Sequence, residues 1–87
     1  MNKGNYRNSR TIALSRVGKL IREYRATNRI EQTELAGYLE LNETTVSQIE
    51  RGRVSLPIRT VPKVAALLNI PQNELTKMVL VDRGYNI

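Results

Sequence analysis

The sequence predicts a small all-α domain built from five short helices. Apolar side chains recur at helical spacing in five separate segments, and no segment has the alternating pattern of a β-strand. The chain has 87 residues, of which 40% are hydrophobic, enough for one modest core. We therefore expect a single domain.

The first ten residues, MNKGNYRNSR, are polar and have no apolar period. They predict a flexible basic arm at residues 1–10, ahead of a domain at residues 11–87. Lys3, Arg7 and Arg10 are suited to contacts with phosphates or a minor groove of DNA. The alternative is an arm that contributes only solubility.

The first helix is predicted from residue 11 to about residue 28, because Leu14, Val17, Ile21 and Tyr24 follow the spacing of an amphipathic helix. Gly18 interrupts it, at a cost of about 1 kcal/mol relative to Ala if the position is exposed.

Residues 32–53, QTELAGYLELNETTVSQIERGR, predict two short helices joined by a tight turn. Ala36 and Val46 are expected where these helices cross, since a small residue on one helix lets the other approach at roughly 90–120°. Asn42 is the expected N-cap of the second helix. The inward positions are Leu35, Ala36, Leu39, Leu41, Val46 and Ile49.

This segment resembles the helix-turn-helix of the phage lambda repressor and Cro family, also called the Xre family. The resemblance covers about residues 14–80 and rests on Gln32, Leu35, Ala36, Val46, Ile49 and the closing Glu50-Arg51-Gly52-Arg53. One departure concerns the turn, where the family usually has Gly and this chain has Glu40. Either Glu40 accepts a left-handed conformation at a cost of about 1 kcal/mol, or Asn42, the better candidate, takes the unusual φ.

The resemblance implies that residues 43–51 form a recognition helix that enters the major groove. With Val46 and Ile49 turned inward, the side chains left to contact base edges are Glu43, Thr44, Ser47 and Gln48. Gln bonds adenine bidentately, Ser and Thr donate or accept, and Glu accepts from cytosine. Glu43 has an alternative role, because a carboxylate in a first helical turn is stabilised by the helix dipole.

The resemblance also implies roles around the recognition helix. Arg25 is expected to pair with Glu50, which ties the first helix to the third. The alternative role of Arg25 is a contact with DNA. Gln32 is expected to meet a phosphate at the start of its helix and to buttress the recognition helix. Other phosphate contacts are expected at the end of the recognition helix and in the loop that follows it. The candidate residues there are Arg51, Arg53, Ser55 and Arg59.

The charge distribution agrees with contacts to two phosphate strands. The net charge is +6, yet residues 30–50 carry five Glu and no cation, so the basic residues flank the reading unit. Cations placed in this way supply affinity without sequence preference. The alternative is a basic protein whose cations are only solvated.

Two further helices complete the predicted fold. The fourth begins near Thr60, its expected cap, with Pro62 in the first turn. The fifth runs from Glu74 to about Asp82 and contains an apolar run at residues 78–81. We expect this region to form a dimer interface through Met78, Leu80, Val81, Tyr85 and Ile87. The alternatives are burial against the first helix and coverage by a different protein.

The absent residue types argue against an enzyme. The chain has no Cys and no His, so it lacks the commonest general base, the commonest metal ligand and a thiol nucleophile. A chain without Cys suits a reducing cytoplasm, and no apolar run or leader-like segment predicts a membrane protein. The sequence indicates no cofactor, metal or small-molecule ligand.

The sequence therefore predicts a DNA-binding transcriptional regulator, a homodimeric repressor that reads a palindrome in double-stranded DNA. The rival prediction is an antitoxin-type module that neutralises a partner protein and binds DNA secondarily. An enzyme or nuclease is disfavoured, because the five Glu between residues 31 and 50 are scattered over helix faces.

Overall fold

The computed structural model describes residues 16–84, and its regular secondary structure is entirely helical. The elements are α1 Arg16–Thr27, α2 Gln32–Leu39, α3 Glu43–Glu50, a 3₁₀ turn Ile58–Thr60, α4 Val61–Leu68 and α5 Gln72–Asp82. The all-α class with five helices is thus confirmed. The predicted arm at residues 1–10 and the predicted start of the first helix lie outside the described residues.

The core lies where α1 contacts α3, α4 and α5, and where α2 contacts α3. Its buried apolar side chains come from every α-helix and include one loop residue, Leu56, which is 2% exposed. Each fully buried Val or Leu stabilises the fold by about 1.5–3 kcal/mol relative to an exposed one. The core residues are Val17, Ile21, Leu35, Ala36, Leu39, Val46, Ile49, Leu56, Val61, Val64, Ala65, Leu75 and Val79.

Gly18 lies at the contact between α1 and α3. It is buried, and a Cβ atom at this position would overlap the carbonyl oxygen of Ile49. The sequence interpretation of Gly18 as a weak point in an exposed helix was wrong. The missing side chain is what lets the two backbones approach each other.

The turn between α2 and α3 is built on Glu40, which has φ 58° and ψ 43°. Asn42 has an ordinary φ of −88°, so the expectation that Asn42 would take the unusual conformation was wrong. Asn42 does cap α3 as predicted, because its Oδ1 accepts the Thr45 N–H at 2.7 Å. The left-handed Glu40 lets the Leu41 N–H return to the Ala36 carbonyl at 2.9 Å, which closes the end of α2.

Two cations from the second half of the chain support this turn. Arg59 Nη2 donates to the Glu40 carbonyl at 3.1 Å, and Lys63 Nζ donates to the Tyr38 carbonyl at 2.9 Å. Lys63 Nζ also lies 5.3 Å from the centroid of the Tyr38 ring. Tyr38 is 46% exposed.

The entries to α4 and α5 differ from the predictions. Thr60 is buried with helical angles, and its hydroxyl donates to the Pro57 carbonyl at 2.6 Å instead of capping α4. The last helix starts at Gln72, two residues before the predicted Glu74. Among residues 16–84, no helix has the length and apolar character needed to cross a membrane.

Candidate nucleic-acid interface

The end of α3 is fixed by a group of hydrogen bonds around the carboxylate of Glu50. Arg25 Nε and Nη2 donate to its two oxygens at 2.7 Å and 3.0 Å. Gln32 Nε2 donates to Oε1 at 3.0 Å. The end of α3 is therefore held by side chains from both α1 and α2, the pairing and the buttress that the resemblance implies.

Burial and hydrogen bonding act in opposite directions on Glu50, whose side chain is 4% exposed. Burial alone would raise the pKa of its carboxyl group. The hydrogen bonds from Arg25 and Gln32, with the positive charges of Arg25 and Arg22, outweigh burial and hold that pKa below its usual value. The carboxylate is consequently ionised at neutral pH, as the ion pair requires.

The second ion-pair partner, Arg25, is 21% exposed and has a further hydrogen bond. Its Nη1 donates to the Ile30 carbonyl at 3.1 Å, which fixes the segment between α1 and α2. One guanidinium thus orders both the start of α2 and the end of α3.

The outward face of α3 lines an open cleft of about 300 Å³. All four side chains predicted to contact bases line it, together with three of those predicted to contact phosphates. The lining residues are Gln32, Glu43, Thr44, Ser47, Gln48, Arg51 and Arg53. Polar groups able to donate and accept therefore share one surface with two exposed arginines.

Local structure explains why α3 presents these groups outward. The Asn42 cap starts the helix, and Val46 and Ile49 are buried at 1% and 3% exposure. The helix ends at Glu50, and the φ of 76° at Gly52 lets the Arg53 N–H donate to the Gln48 carbonyl at 2.9 Å. Gly52 is thus the glycine that follows the end of the helix in a left-handed conformation.

Two predicted phosphate contacts, Ser55 and Arg59, do not line the cleft. Ser55 is half-buried, and its Oγ accepts from Arg83 Nε at 2.9 Å. Arg59 is exposed and donates to the Glu40 carbonyl through one nitrogen. Both side chains can still donate a hydrogen bond to an anion. The bond to Arg83 does not use the Ser55 hydroxyl proton, and the bond to Glu40 uses one of the five N–H groups of Arg59.

Sequence reasoning missed two residues at the end of α5. Asp82 is 6% exposed, and its Oδ2 accepts the buried Val17 N–H at 3.0 Å. Arg83 donates to Ser55 Oγ and, through Nη2, to the Leu56 carbonyl at 3.2 Å. None of these three contacts has a signal in the sequence, because the partners are 65, 28 and 27 positions apart.

Residues predicted to form a dimer interface have different degrees of exposure. Met78 is half-buried against the core, which leaves only part of its side chain for another molecule. Leu80 is half-buried and Val81 is 38% exposed. The remaining members, Tyr85 and Ile87, lie outside the described residues, as do Lys3, Arg7 and Arg10 of the predicted arm.

Comparison with known proteins agrees with this geometry. A family described as "Helix-turn-helix domain" matches residues 16–78. The chain is 32% identical over 71 residues to the "ImmF control region 10 kDa protein" of Bacillus phage phi105, a match that covers 79% of each chain. It is also 33% identical over 63 residues to the "Uncharacterized HTH-type transcriptional regulator RghRB" of Bacillus subtilis (strain 168). That second match covers 71% of this chain and 45% of the relative.

The family match covers the two helices that form the cleft and the helices that support them. It points to a DNA-binding regulator and not to an enzyme. The chain belongs to the Xre-like family of helix-turn-helix transcriptional regulators.

Proposed function

We propose that this protein is a homodimeric repressor that reads a palindromic operator in the major groove of double-stranded DNA. The observation that carries the proposal is the cleft on the outer face of α3, which gathers Glu43, Thr44, Ser47 and Gln48 beside Arg51 and Arg53. Hydrogen-bonding side chains on an exposed helix flanked by cations suit base edges lying between two phosphate strands.

In the proposed complex, Gln48 bonds adenine, while Thr44 and Ser47 bond neighbouring base edges or touch a thymine methyl group. Glu43 accepts from cytosine. Gln32, Arg51, Arg53, Ser55 and Arg59 fix the register by contacts to phosphates.

The proposed dimer is related by a two-fold axis and presents two recognition helices about 34 Å apart, one turn of DNA. Val81 on α5 supports this proposal, because it is an apolar side chain left 38% exposed near the end of the described chain. Leu80, the exposed part of Met78, and Tyr85 and Ile87 complete the proposed interface. Repression then follows from occlusion of a promoter in the cytoplasm, with the protein on the nucleoid when it is bound.

The exposed apolar side chains of α5 also support a second function. In this alternative the protein is an antitoxin-type module, and a different protein covers α5. The two functions predict different partners for Leu80 and Val81. In the first, both side chains are buried in a homodimer, whereas in the second they contact a toxin and DNA binding is secondary.

Footprinting of the purified protein across the DNA upstream of its own gene tests the proposal. The measurement belongs at about 0.15 M salt, where non-specific binding is weak. The expected result is a protected palindrome with half-site centres about 10 bp apart, or a multiple of that spacing. Protection no stronger than on random DNA would contradict the repressor and favour the module that binds a partner protein.

A further inference from the structure

The segment that follows the recognition helix is a loop without regular structure from residue 53 to residue 57. Its ends are fixed by the Arg53 N–H, which donates to the Gln48 carbonyl, and by the Thr60 N–H, which donates to the Pro57 carbonyl. Between them, the buried Leu56 side chain anchors the loop to the core. Ser55 is the residue of this loop that combines a hydroxyl donor with partial exposure.

Arg83 contacts this loop from the end of α5. Its Nε donates to Ser55 Oγ at 2.9 Å, and its Nη2 donates to the Leu56 carbonyl at 3.2 Å. One planar guanidinium therefore fixes a side chain and a neighbouring backbone carbonyl at the same time, and such a two-pronged contact restricts orientation as well as distance.

Hydrogen bonds also fix the backbone of Arg83 and of the residue before it. The Arg83 N–H donates to the Val79 and Leu80 carbonyls, both at 3.1 Å. The preceding residue, Asp82, is buried and accepts the Val17 N–H. The end of α5 is thus joined to α1 on one side and to the loop on the other.

The contact also sets the direction in which Ser55 can donate. A hydroxyl carries one proton and two acceptor lone pairs. When Oγ accepts from a guanidinium, its own proton is directed elsewhere and can bond a phosphate oxygen. The positive charge next to Oγ makes that proton a better donor to an anion.

We propose that Arg83 is a positioning residue for phosphate binding: it holds Ser55 and the loop that follows the recognition helix in the orientation that contacts the DNA backbone. This inference rests on the proposed function and adds to it a role for the end of α5. Because the contact is with phosphates, it acts on all DNA sequences alike.

The test compares four single variants and one double variant in binding to a random-sequence duplex at low salt, with unfolding followed by circular dichroism. Arg83→Gln removes the charge and the two-pronged contact, and Arg83→Lys keeps the charge alone. Lys77→Gln removes an exposed charge from the same helix and serves as the matched control. Ser55→Ala removes the hydroxyl.

We expect Arg83→Gln to weaken binding by about fivefold to tenfold, the usual range for one or two lost hydrogen bonds. Arg83→Lys should lose most of the same factor, and Lys77→Gln at most about twofold. Arg83→Gln combined with Ser55→Ala should bind as Arg83→Gln does, because both changes break one interaction. The thermal unfolding midpoints of Arg83→Gln and Lys77→Gln should both lie above the temperature of the binding measurement, so that a loss of affinity is not a loss of folded protein.

If wild-type protein binds DNA, any of three results would overturn the inference. Arg83→Gln and Lys77→Gln could weaken binding by the same factor, or Arg83→Lys could bind with wild-type affinity. In the third result, the double variant loses affinity by the product of the two single factors. Failure of wild-type protein to bind any duplex would overturn the proposed function and this inference with it.

Discussion

The guanidinium of Arg25 donates to both carboxylate oxygens of Glu50, 25 positions further along the chain, at 2.7 Å and 3.0 Å. The pair joins α1 to the last residue of α3. Since Glu50 is almost fully buried, loss of one partner leaves the other in the core without a counter-charge.

We expect Glu50→Gln to destabilise the protein by about 2–3 kcal/mol at neutral pH, near the low end for a buried pair because Arg25 is partly exposed. The folded-state pKa of Glu50 is lowered, so its contribution is complete above the usual value of 4.5 and is lost as the pH falls through the lowered value. The difference from wild type should therefore shrink below about pH 4.5.

Urea unfolding between about pH 3 and pH 7 measures this difference. Glu23→Gln, at an exposed position of α1, is the control and should have a small effect throughout. A stability difference for Glu50→Gln that stays constant down to about pH 3 would contradict the assignment.

Two glycine substitutions separate helix propensity from packing. Gly18→Ala should destabilise by about 1–3 kcal/mol or more, because the new Cβ meets the Ile49 carbonyl in a close backbone contact. Gly37→Ala, where a Cβ meets nothing within 4 Å, should stabilise by up to about 1 kcal/mol. Thermal unfolding measures the stability of both variants. A Gly18→Ala variant more stable than wild type would show that α1 and α3 are further apart than the structure places them.

The left-handed residues at the ends of α2 and α4 allow a matched pair of substitutions. Glu40 and Asn69 have nearly the same φ, 58° and 57°, but Asn tolerates this conformation better than Glu. Glu40→Gly should therefore stabilise the protein by about 0.5–1 kcal/mol more than Asn69→Gly does. Denaturant unfolding tests this difference, and an equal response of the two sites would mean that Glu40 is unstrained.

Base reading and phosphate binding predict different responses to mutation. Gln48→Ala should reduce affinity for the operator by about 1–3 kcal/mol and relax preference at one base position. Arg53→Ala should weaken operator and random DNA about equally and flatten the salt dependence by about one unit. Titrations of both duplexes at several salt concentrations distinguish them, and the assignment of α3 fails if Gln48→Ala affects both duplexes alike.

The proposed dimer can be tested with two valines of equal exposure. Val81 and Val54 are 38% and 39% exposed, but only Val81 lies on α5. We expect Val81→Ser to shift the protein towards monomer by about tenfold in dissociation constant, an amount typical of a truncated interface side chain. Val54→Ser should leave association unchanged. Sedimentation equilibrium measures both, and a monomeric wild type would exclude the homodimer.

The sequence predicted those features that depend on local spacing. Periodicity located the five helices, and the Asn42 cap followed from short-range backbone requirements. Periodicity identifies the inward face of a helix but not the distance to its neighbour, which is why Gly18 was misinterpreted. It also gives no signal for Leu56, a core residue in a loop.

In the candidate site, too, features that depend on local spacing were predicted, whereas features that depend on distant contacts were not. The outward positions of α3 followed from the inward ones, and the structure places all four on a single cleft. The roles of Asp82 and Arg83 were not predictable, because each depends on how α5 packs against distant parts of the chain. Likewise, Glu40 takes the left-handed conformation with support from Arg59, a contact across 19 positions.

The bond between Asp82 and the Val17 N–H spans 65 positions and has a consequence for biosynthesis. A ribosome that adds about 5–20 residues per second needs about 3–13 s to travel from one partner to the other. In the last part of that interval the nascent chain contains α3, Glu43–Glu50, but neither Asp82, which accepts the Val17 N–H, nor Arg83 beside it. A polypeptide released early from the ribosome would lack both contacts, so the bonds that join α5 to α1 and to the loop at residues 53–57 form only after the last turn of α5 is made.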